Sequence, residues 1–223
     1  MQIERLSSGA EVIDELLNGG VEHSAVTNFY GPPGSGKTNL GLLFTLSCLK
    51  HGSVAYVDTE NGFSIERFFQ MGGTKENFKK ILYENPQNFK EQGKAIQKLK
   101  KMDVKLIVVD SIVSLYRLEI NKDNFTETNK ELASQLAALS FIAKEKNVPV
   151  IITNQVYTVN SNEIELSGRD VVKYWSKCLV ELKKVDDNKR LAILRKHRSL
   201  PEGKKVEFEI TGTGIDKAKF RIF

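Results

Sequence analysis

Short runs of apolar, β-branched residues alternate along the chain with longer stretches in which apolar positions recur at helical spacing. The predicted strands are Val26–Tyr30, Val54–Asp58, Lys80–Tyr83, Leu106–Asp110, Val148–Thr153, Cys178–Leu182, Leu191–Arg195 and Val206–Ile210. The predicted helices are Val12–Leu17, Lys37–Lys50, Ile65–Met71, Phe89–Lys100 and Glu127–Lys146, the last with Thr126 as its cap. Strands that alternate with helices favour an α/β fold with a mostly parallel twisted sheet. The later strands are separated only by turn residues, which predicts C-terminal antiparallel hairpins.

The connection between the first of these strands and the next helix has the form Gly-x-x-x-x-Gly-Lys-Thr. Its residues are Gly31, Pro32, Pro33, Gly34, Ser35, Gly36, Lys37 and Thr38, with Asn39 directly after them. A strand before such a loop and a helix after it let backbone N–H groups point at phosphate oxygens. Lys37 is expected to reach the β- and γ-phosphates, and the Thr38 hydroxyl to bind Mg²⁺. The motif therefore predicts binding of a nucleoside triphosphate, with ATP and Mg²⁺ as the ligands.

Three polar side chains follow other predicted strands and are candidates for the same site. Asp110 ends an apolar strand and is expected to hold Mg²⁺ together with Thr38. Glu60 is placed to orient or deprotonate the attacking water, with a surface residue at a strand end as the alternative. Gln155 is placed to contact the γ-phosphate and signal its presence to the loop that follows, with ordinary turn chemistry as the alternative.

Length and composition limit the remaining choices. At 223 residues the chain fits a single domain, expected over residues 1–223. Neither a signal-peptide segment nor an apolar run of membrane-spanning length is found, so a cytoplasmic protein without a membrane partner is expected. Cys48 and Cys178 lie in apolar stretches and are interpreted as buried free thiols.

The net charge of +5 is unevenly distributed. Residues 183–205 hold nine Lys and Arg against three Asp and Glu, and residues 75–105 hold nine against four. Concentrated positive charge indicates a polyanion partner, but a solvated lysine-rich helix explains the 75–105 segment equally well.

Further short motifs accompany the phosphate-binding loop. They are the segments 6–9, 13–20, 56–60, 109–111, 115–117, 153–156 and 200–202, with Phe63, Glu66 and Arg67. With the loop, they make the chain resemble the ATPase core of the RecA/RadA recombinase superfamily over nearly its whole length. Within that superfamily the chain is most similar to a short archaeal paralogue of RadA. The resemblance implies a RecA-like P-loop ATPase core.

The resemblance also implies roles for individual residues. Glu60 matches the catalytic glutamate, acting with Lys37, and Arg67 matches the arginine that stacks on adenine. Gln155 matches the glutamine that couples the γ-phosphate to the second DNA-facing loop. The two DNA-facing segments are 117–130 and 156–177.

DNA is the partner that these segments imply, single-stranded or branched and bound without sequence preference. The expected basic contacts are Arg117, Lys122, Arg169, Lys173 and Lys177. The aromatic residues between them are Phe125, Tyr157, Tyr174 and Trp175, of which the last two are expected to be half-buried anchors rather than base stackers. A RadA-type recombinase and further copies of the chain are the expected protein partners.

The chain departs from a full recombinase in several ways. It begins at the core, so an N-terminal helical DNA-binding domain and its linker are expected to be absent. The second DNA-facing loop looks shorter than in relatives that exchange strands, and Val171–Tyr174 stand where those relatives have a histidine. These departures predict an accessory protein of recombination and repair, not a strand-exchange enzyme. Its ATPase activity is expected to be weak and either independent of DNA or gated by a partner. The alternatives are a KaiC-type ring-forming signalling ATPase that does not bind DNA and a paralogue that binds nucleotide without turnover.

The basic cluster at residues 196–198 has three interpretations. Lys196 and Arg198 end a predicted strand where related ATPases cover the nucleotide of a neighbouring subunit, so they are candidates for a finger acting in trans. They are also candidates for DNA phosphate contacts or for a solvated hairpin tip. His197 between them is expected to be incidental.

Overall fold

The computed structural model describes residues 4–160, 163–166 and 168–218; the side chains of residues 157–160, 163–166 and 169 are not described. The helices in this part of the chain are α1 (Glu11–Leu16), α2 (Lys37–Cys48), α3 (Ile65–Gln70), α4 (Lys75–Phe78), α5 (Phe89–Leu99), α6 (Ser114–Glu119), α7 (Phe125–Lys146) and α8 (Arg169–Trp175). The strands are β1 (Arg5–Leu6), β2 (Val21–Glu22), β3 (Val26–Gly31), β4 (Val54–Asp58), β5 (Ile81–Glu84), β6 (Leu106–Asp110), β7 (Val150–Asn160), β8 (Glu163–Leu166), β9 (Cys178–Lys184), β10 (Lys189–Lys196), β11 (Lys205–Thr211) and β12 (Gly214–Lys217).

One large sheet runs through the molecule in the order β12-β11-β10-β9-β3-β7-β6-β4-β5, with β8 paired to β7. From β9 through β3, β7, β6 and β4 to β5, successive strands of this order are parallel. From β9 to β12 successive strands form antiparallel hairpins, and β8 is antiparallel to β7. The predicted mostly parallel sheet with C-terminal antiparallel hairpins is therefore confirmed. Since parallel strands end at one edge, β3, β4, β6 and β7 deliver the residues that follow them to one side of the sheet.

Both faces of the sheet are covered by helices, and successive side chains of β6 point alternately into the cores on the two faces. Leu106 and Val108 pack into the core shared with α1 and α2, whereas Ile107 and Val109 pack into the core shared with α5 and α7. All four side chains are fully buried. A strand buried on both faces is continuously apolar, so this segment was readable from the sequence.

Several predicted boundaries are corrected by the structure. Thr126 does not cap α7, because the helix begins at Phe125 after Asn124. The Asn124 side chain instead accepts a 2.8 Å hydrogen bond from the backbone N–H of Asn121, in the preceding turn. The segment 156–177, expected to be a loop, contains the end of β7 together with β8 and α8.

Within the described residues, no helix combines the length and the hydropathy that crossing a bilayer requires. Cys48 and Cys178 are buried free thiols, as expected.

Candidate nucleotide site and its surroundings

The loop Gly31–Thr38 joins the end of β3 to the start of α2 with a geometry that requires glycine. Gly34 and Gly36 have φ values of +73° and +100°, in the left-handed region. A Cβ on Gly31 would lie 2.3 Å from the carbonyl oxygen of Leu182. Among the described residues, no side chain caps the N-terminus of α2. Its first backbone N–H groups are thus available to an anion.

Two polar side chains of the loop fit a phosphate ligand. Lys37 is buried, and its Nζ donates 2.9 Å hydrogen bonds to the carbonyl oxygens of Gly31 and Pro32. Burial lowers the pKa of Lys37, and the negative charges of Asp110 and Glu60 oppose that shift. The Ser35 hydroxyl is buried without a hydrogen-bond partner among the described residues. A buried polar atom of this kind is expected where a ligand completes the site.

Asp110 and Thr38 lie together beneath the loop. The Asp110 carboxylate accepts hydrogen bonds from the hydroxyls of Thr153, Thr38 and Tyr56, the last at 3.1 Å. Burial raises the pKa of Asp110, and these hydrogen bonds oppose the rise. A bound cation would favour the ionised carboxylate. One carboxylate and one hydroxyl fit Mg²⁺, which usually keeps water ligands and takes the rest of its shell from substrate phosphates.

The loop after β4 presents Glu60, and Asp58 holds that loop in shape. Asp58 is fully buried. Its Oδ1 accepts hydrogen bonds from the backbone N–H groups of Glu60 and Gly62, both at 3.1 Å. Its Oδ2 accepts from the backbone N–H of Phe63 and from the Tyr83 hydroxyl, both at 2.9 Å. Sequence reasoning missed this residue, although a carboxylate two positions before Glu60 was a visible signal for a turn.

The Glu60 carboxylate meets residues from two other elements. Its Oε1 accepts a 2.9 Å hydrogen bond from Nε2 of Gln155, the last residue of β7 in parallel register with β3. The same oxygen accepts a hydrogen bond from the Ser114 hydroxyl at the start of α6. Arg117, one turn further along α6, donates to Oε1 of Gln155 at 3.4 Å. Arg117, predicted as a DNA contact, therefore lies beside the predicted nucleotide residues.

Arg67 joins the far end of the site to the β11–β12 turn. Its Nε donates to Oδ1 of Asn39 at 2.8 Å. Its two terminal nitrogens donate to the carbonyl oxygens of Gly212 and Gly214, at 2.9 and 3.2 Å. These hydrogen bonds use the edge of the guanidinium, whereas stacking on a ring uses its planar face.

Arg190 is a second residue that sequence reasoning missed. It is 8% exposed, and its Nε donates a 2.8 Å hydrogen bond to the carbonyl oxygen of Gly34 in the phosphate-binding loop. Another nitrogen donates to the carbonyl oxygens of Asp186, Asp187 and Lys189. One guanidinium thus fastens the loop to the β9–β10 turn. In the sequence Arg190 lies in a basic segment, and no pattern there predicts this contact.

The cluster at residues 196–198 is engaged within the chain. Nζ of Lys196 donates to the carbonyl oxygens of Lys173 and Ser176, at 2.7 and 2.9 Å. Arg198 forms an ion pair with the buried carboxylate of Glu22. An action on a neighbouring nucleotide would require both side chains to leave these partners.

His197 is not incidental, contrary to the expectation from sequence. Its side chain is 1% exposed. Nδ1 accepts hydrogen bonds from the backbone N–H groups of Ser199 and Leu200, both at 3.1 Å. Burial lowers the pKa of His197, and the nearby Glu22 carboxylate opposes that shift. The neutral ring therefore organises the turn after β10.

The other predicted DNA contacts are distributed around α7 and α8. Lys122, Lys173 and Lys177 are exposed. The side chains of Arg169 and Tyr157 lie outside the described part of the structure. Trp175 is partly buried against the core beneath α7, as expected, whereas Tyr174 is 70% exposed and is not a half-buried anchor.

Comparisons with known proteins agree with this architecture. The family model described as Rad51 matches residues 1–218. A protein of Methanocaldococcus jannaschii named "DNA repair and recombination protein RadB" is 43% identical over 215 residues, covering 92% of this chain and 99% of that protein. A protein of the same name from Methanococcus maripaludis strain C7 is 40% identical over 211 residues, covering 92% and 97%.

A solved structure described as the crystal structure of the RadB recombinase superposes with a TM-score of 0.83 at 38% identity. The superposition covers 96% of this chain and 100% of the chain in the RadB structure. The resemblance to the RecA/RadA recombinases is thereby confirmed, and the chain belongs to the Rad51 family.

Proposed function

We propose that this chain is an ATP- and DNA-binding accessory protein of homologous recombination and DNA repair. It would have weak, partner-gated ATPase activity and no strand-exchange activity of its own. The observation that carries the proposal is the convergence of Lys37, Thr38, Asp110, Glu60 and Gln155 beyond the ends of neighbouring parallel strands. That edge of an open α/β sheet is where ligands bind.

The residues of this edge have distinct roles in the proposed activity. Backbone N–H groups of residues 31–38 and the Lys37 ammonium would bind the triphosphate, with Mg²⁺ held by Thr38 and Asp110. Bound Mg²⁺ would neutralise charge on the β- and γ-phosphates. Arg67 would stack on the adenine, and its hydrogen bond to Asn39 would orient it.

The surroundings of Glu60 support slow hydrolysis. Glu60 would orient the attacking water or take its proton, but its Oε1 already accepts hydrogen bonds from Gln155 and Ser114. At least one of these hydrogen bonds must be exchanged for water before the carboxylate can act on it. The isolated chain is therefore expected to bind ATP well and turn it over slowly. A positive charge supplied in trans by Lys196 or Arg198, to another copy or to a RadA-type recombinase, would stabilise the transition state.

The DNA part of the proposal rests on exposed lysines and on the names of relatives. Lys122, Lys173 and Lys177 are exposed around α7 and α8. The relatives described above are named for DNA repair and recombination, which favours this function over that of a ring-forming ATPase without DNA.

Single-stranded DNA binding at several salt concentrations tests the DNA part. If about five phosphates are contacted, the slope of log affinity against log salt is about −3.5. Binding with a slope near zero, or no binding at low salt, contradicts the proposal and favours the ring-forming alternative.

An ATPase dilution series tests the catalytic part. Turnover per molecule should rise with protein concentration, and Arg198→Ala should abolish that rise. The control is Arg195→Ala, which removes an arginine on β10 that is paired with Glu181 and should preserve the rise. Glu60→Gln should lower turnover while the exposed Glu66→Gln leaves it unchanged. Turnover that is independent of concentration excludes the trans finger, and an unchanged rate in Glu60→Gln excludes Glu60 as the base.

A further inference from the structure

Helix α8 relies on a residue outside itself to pair the carbonyl groups at its C-terminal end. The last four carbonyl groups of an α-helix have no partner within the helix, and α8 has only seven residues. The carbonyl oxygen of Val172 accepts from the backbone N–H and the hydroxyl of Ser176, the latter at 2.8 Å. The carbonyl oxygens of Lys173 and Ser176 accept from Nζ of Lys196, at 2.7 and 2.9 Å. A lysine at the end of β10 therefore completes the C-terminus of this helix.

A β-bulge at the end of β10 brings Lys196 to α8. Residues two apart in a regular strand lie on the same face of a sheet. Leu194 pairs with Val180 of β9, and both pack into the core shared with α1 and α2. The register then shifts, so that Lys196 pairs with Leu179, whereas a regular antiparallel register would pair it with Cys178. The extra residue turns Lys196 to the opposite face, on which α8 packs.

The position of Lys196 is electrostatically demanding. Partial burial lowers the pKa of Lys196 and the positive charge of Lys177 lowers it further, while the carboxylate of Glu202 opposes the shift. The negative end of the α8 dipole lies at the same carbonyl groups and favours a cation there. A lysine that served only as a solvated charge would extend into water, where its ammonium group is neither desolvated nor close to a like charge. The contact with α8 is therefore the feature that accounts for the position of Lys196.

We propose that Lys196 is a positioning residue, which holds the last turn of α8, and with it the exposed Lys173 and Tyr174, in the orientation that meets DNA. The inference rests on the proposed DNA-binding function and deepens it. Without Lys196, the end of the helix would have to be ordered when DNA binds, and affinity would fall with the fraction of molecules in the competent orientation. Lys196 then contacts neither DNA nor nucleotide, which leaves Arg198 as the candidate for a finger acting in trans.

Three variants test the assignment. Lys196→Met removes the ammonium group but keeps an unbranched side chain, and Lys196→Arg keeps a cation with several donors. The control is Lys205→Met, which removes the same charge from an exposed position at the start of β11. Amide hydrogen exchange without DNA measures how firmly α8 is held. Binding of a dT oligomer over a salt series measures the affinity and the number of phosphates contacted.

In Lys196→Met, the amides at the C-terminal end of α8 should exchange about 10- to 150-fold faster, the range for losing a hydrogen bond to a charged group. The affinity for the dT oligomer should fall by about 5-fold or more, because ordering the helix then draws on the free energy of binding. The slope of log affinity against log salt should stay at the wild-type value. Lys196→Arg should restore slow exchange and affinity, and Lys205→Met should match the wild type. Circular dichroism verifies that all variants fold.

Several results would overturn the assignment. A salt slope smaller in magnitude by about 0.7 in Lys196→Met would show that Lys196 itself contacts a DNA phosphate. Unchanged exchange of the α8 amides together with lost concentration dependence of ATP turnover would make Lys196 the finger acting in trans. Faster exchange with unchanged DNA affinity would show that the hold on α8 does not serve DNA binding. A wild type that does not bind the oligomer overturns the proposed function and this role in it, while the exchange rates show separately whether Lys196 holds α8.

Discussion

Nε2 of Gln155 donates a 2.9 Å hydrogen bond to Oε1 of Glu60, which joins the strand β7 to the loop after β4. The other end of the Gln155 amide, Oε1, accepts from Arg117 of α6. A single amide thus connects the carboxylate expected to act on water with α6, whose Arg117 is a predicted DNA contact. This arrangement gives a physical route by which DNA and ATP would affect each other's binding.

Gln155→Ala removes that connection without touching residues 31–38. We expect ATP to remain bound in the absence of DNA, because Lys37, Thr38 and Asp110 are unchanged and only one γ-phosphate contact is lost. The change in ATP affinity caused by saturating single-stranded DNA should shrink by about 5-fold or more, since couplings of this type are about 1–3 kcal/mol. Titrations with and without DNA measure this, with the exposed Gln97→Ala as the control. A wild-type coupling in Gln155→Ala would show that the amide does not transmit it.

Asp58→Asn replaces a buried acceptor of four hydrogen bonds with an amide of nearly equal size. An amide has one acceptor oxygen, so buried donors lose partners and unfolding becomes easier by about 1–3 kcal/mol for each group left unsatisfied. Turnover should fall more than ATP affinity, because the Glu60 loop moves while the phosphate-binding loop does not. Urea unfolding and steady-state kinetics measure the two effects.

Tyr83→Phe is the matched control for Asp58→Asn, because it removes only the hydroxyl bonded to Oδ2 of Asp58. Its expected cost is about 0.5–1.5 kcal/mol of the free energy of unfolding, with turnover retained. If Asp58→Asn lowers ATP affinity and turnover equally, Asp58 does not act through Glu60.

Arg190→Ala releases the carbonyl of Gly34 from its 2.8 Å hydrogen bond and leaves the loop less constrained. We expect ATP affinity to fall by about 10-fold, as for a hydrogen bond to a charged group of about 1.5 kcal/mol. Arg190→Lys should recover only part of the loss, because one ammonium cannot reach both the loop and the β9–β10 turn. Arg195→Ala, on the same strand but paired with Glu181, should bind ATP normally. Equal ATP affinities in Arg190→Ala and Arg195→Ala would show that the hydrogen bond from Arg190 to Gly34 does not support ATP binding.

The neutral His197 ring predicts a loss of stability in acid. Burial lowers the pKa of His197 in the folded state, so the unfolded chain takes up its proton first. The free energy of unfolding should therefore decrease as pH falls below about 6.5, the ordinary pKa of histidine, by at most about 1.4 kcal/mol per pH unit from this group. Above that pH, the contribution is fully present.

His197→Gln should be less stable than the wild type at neutral pH and should have a flatter pH dependence between about 6.5 and the lowered pKa. His51→Gln, at an exposed position after α2, is the control and should retain the wild-type slope. Chemical unfolding over a pH series measures both. An unchanged slope in His197→Gln would show that another group causes the acid sensitivity.

Most of the sheet could be predicted from the sequence because its strands are local patterns. Val54–Asp58 and Leu106–Asp110 were predicted to the residue, since each is an apolar run stopped by an aspartate. Helices α6 and α8 were missed because they overlap the segments 117–130 and 156–177, which were interpreted as DNA-facing loops.

The residues around the phosphate-binding loop were likewise only partly predictable from the sequence. The phosphate-binding residues form one contiguous motif and were predictable. The contacts of Asp58 with Tyr83 and of Arg190 with Gly34 join residues 25 and 156 positions apart, so no local pattern contains them. Likewise, Lys196 and Arg198 looked like free charges in the sequence, because Ser176 and Glu22 come from distant segments.

Binding of ATP by residues 31–38 is the central claim, and equilibrium dialysis with labelled ATP and Mg²⁺ tests it most directly. The wild type and Lys50→Ala, a lysine exposed just after α2, should retain ATP equally. Lys37→Ala should bind about 10- to 150-fold more weakly, the range for charge-assisted hydrogen bonds. Absence of retention by the folded wild type, or identical retention by Lys37→Ala, would contradict the claim.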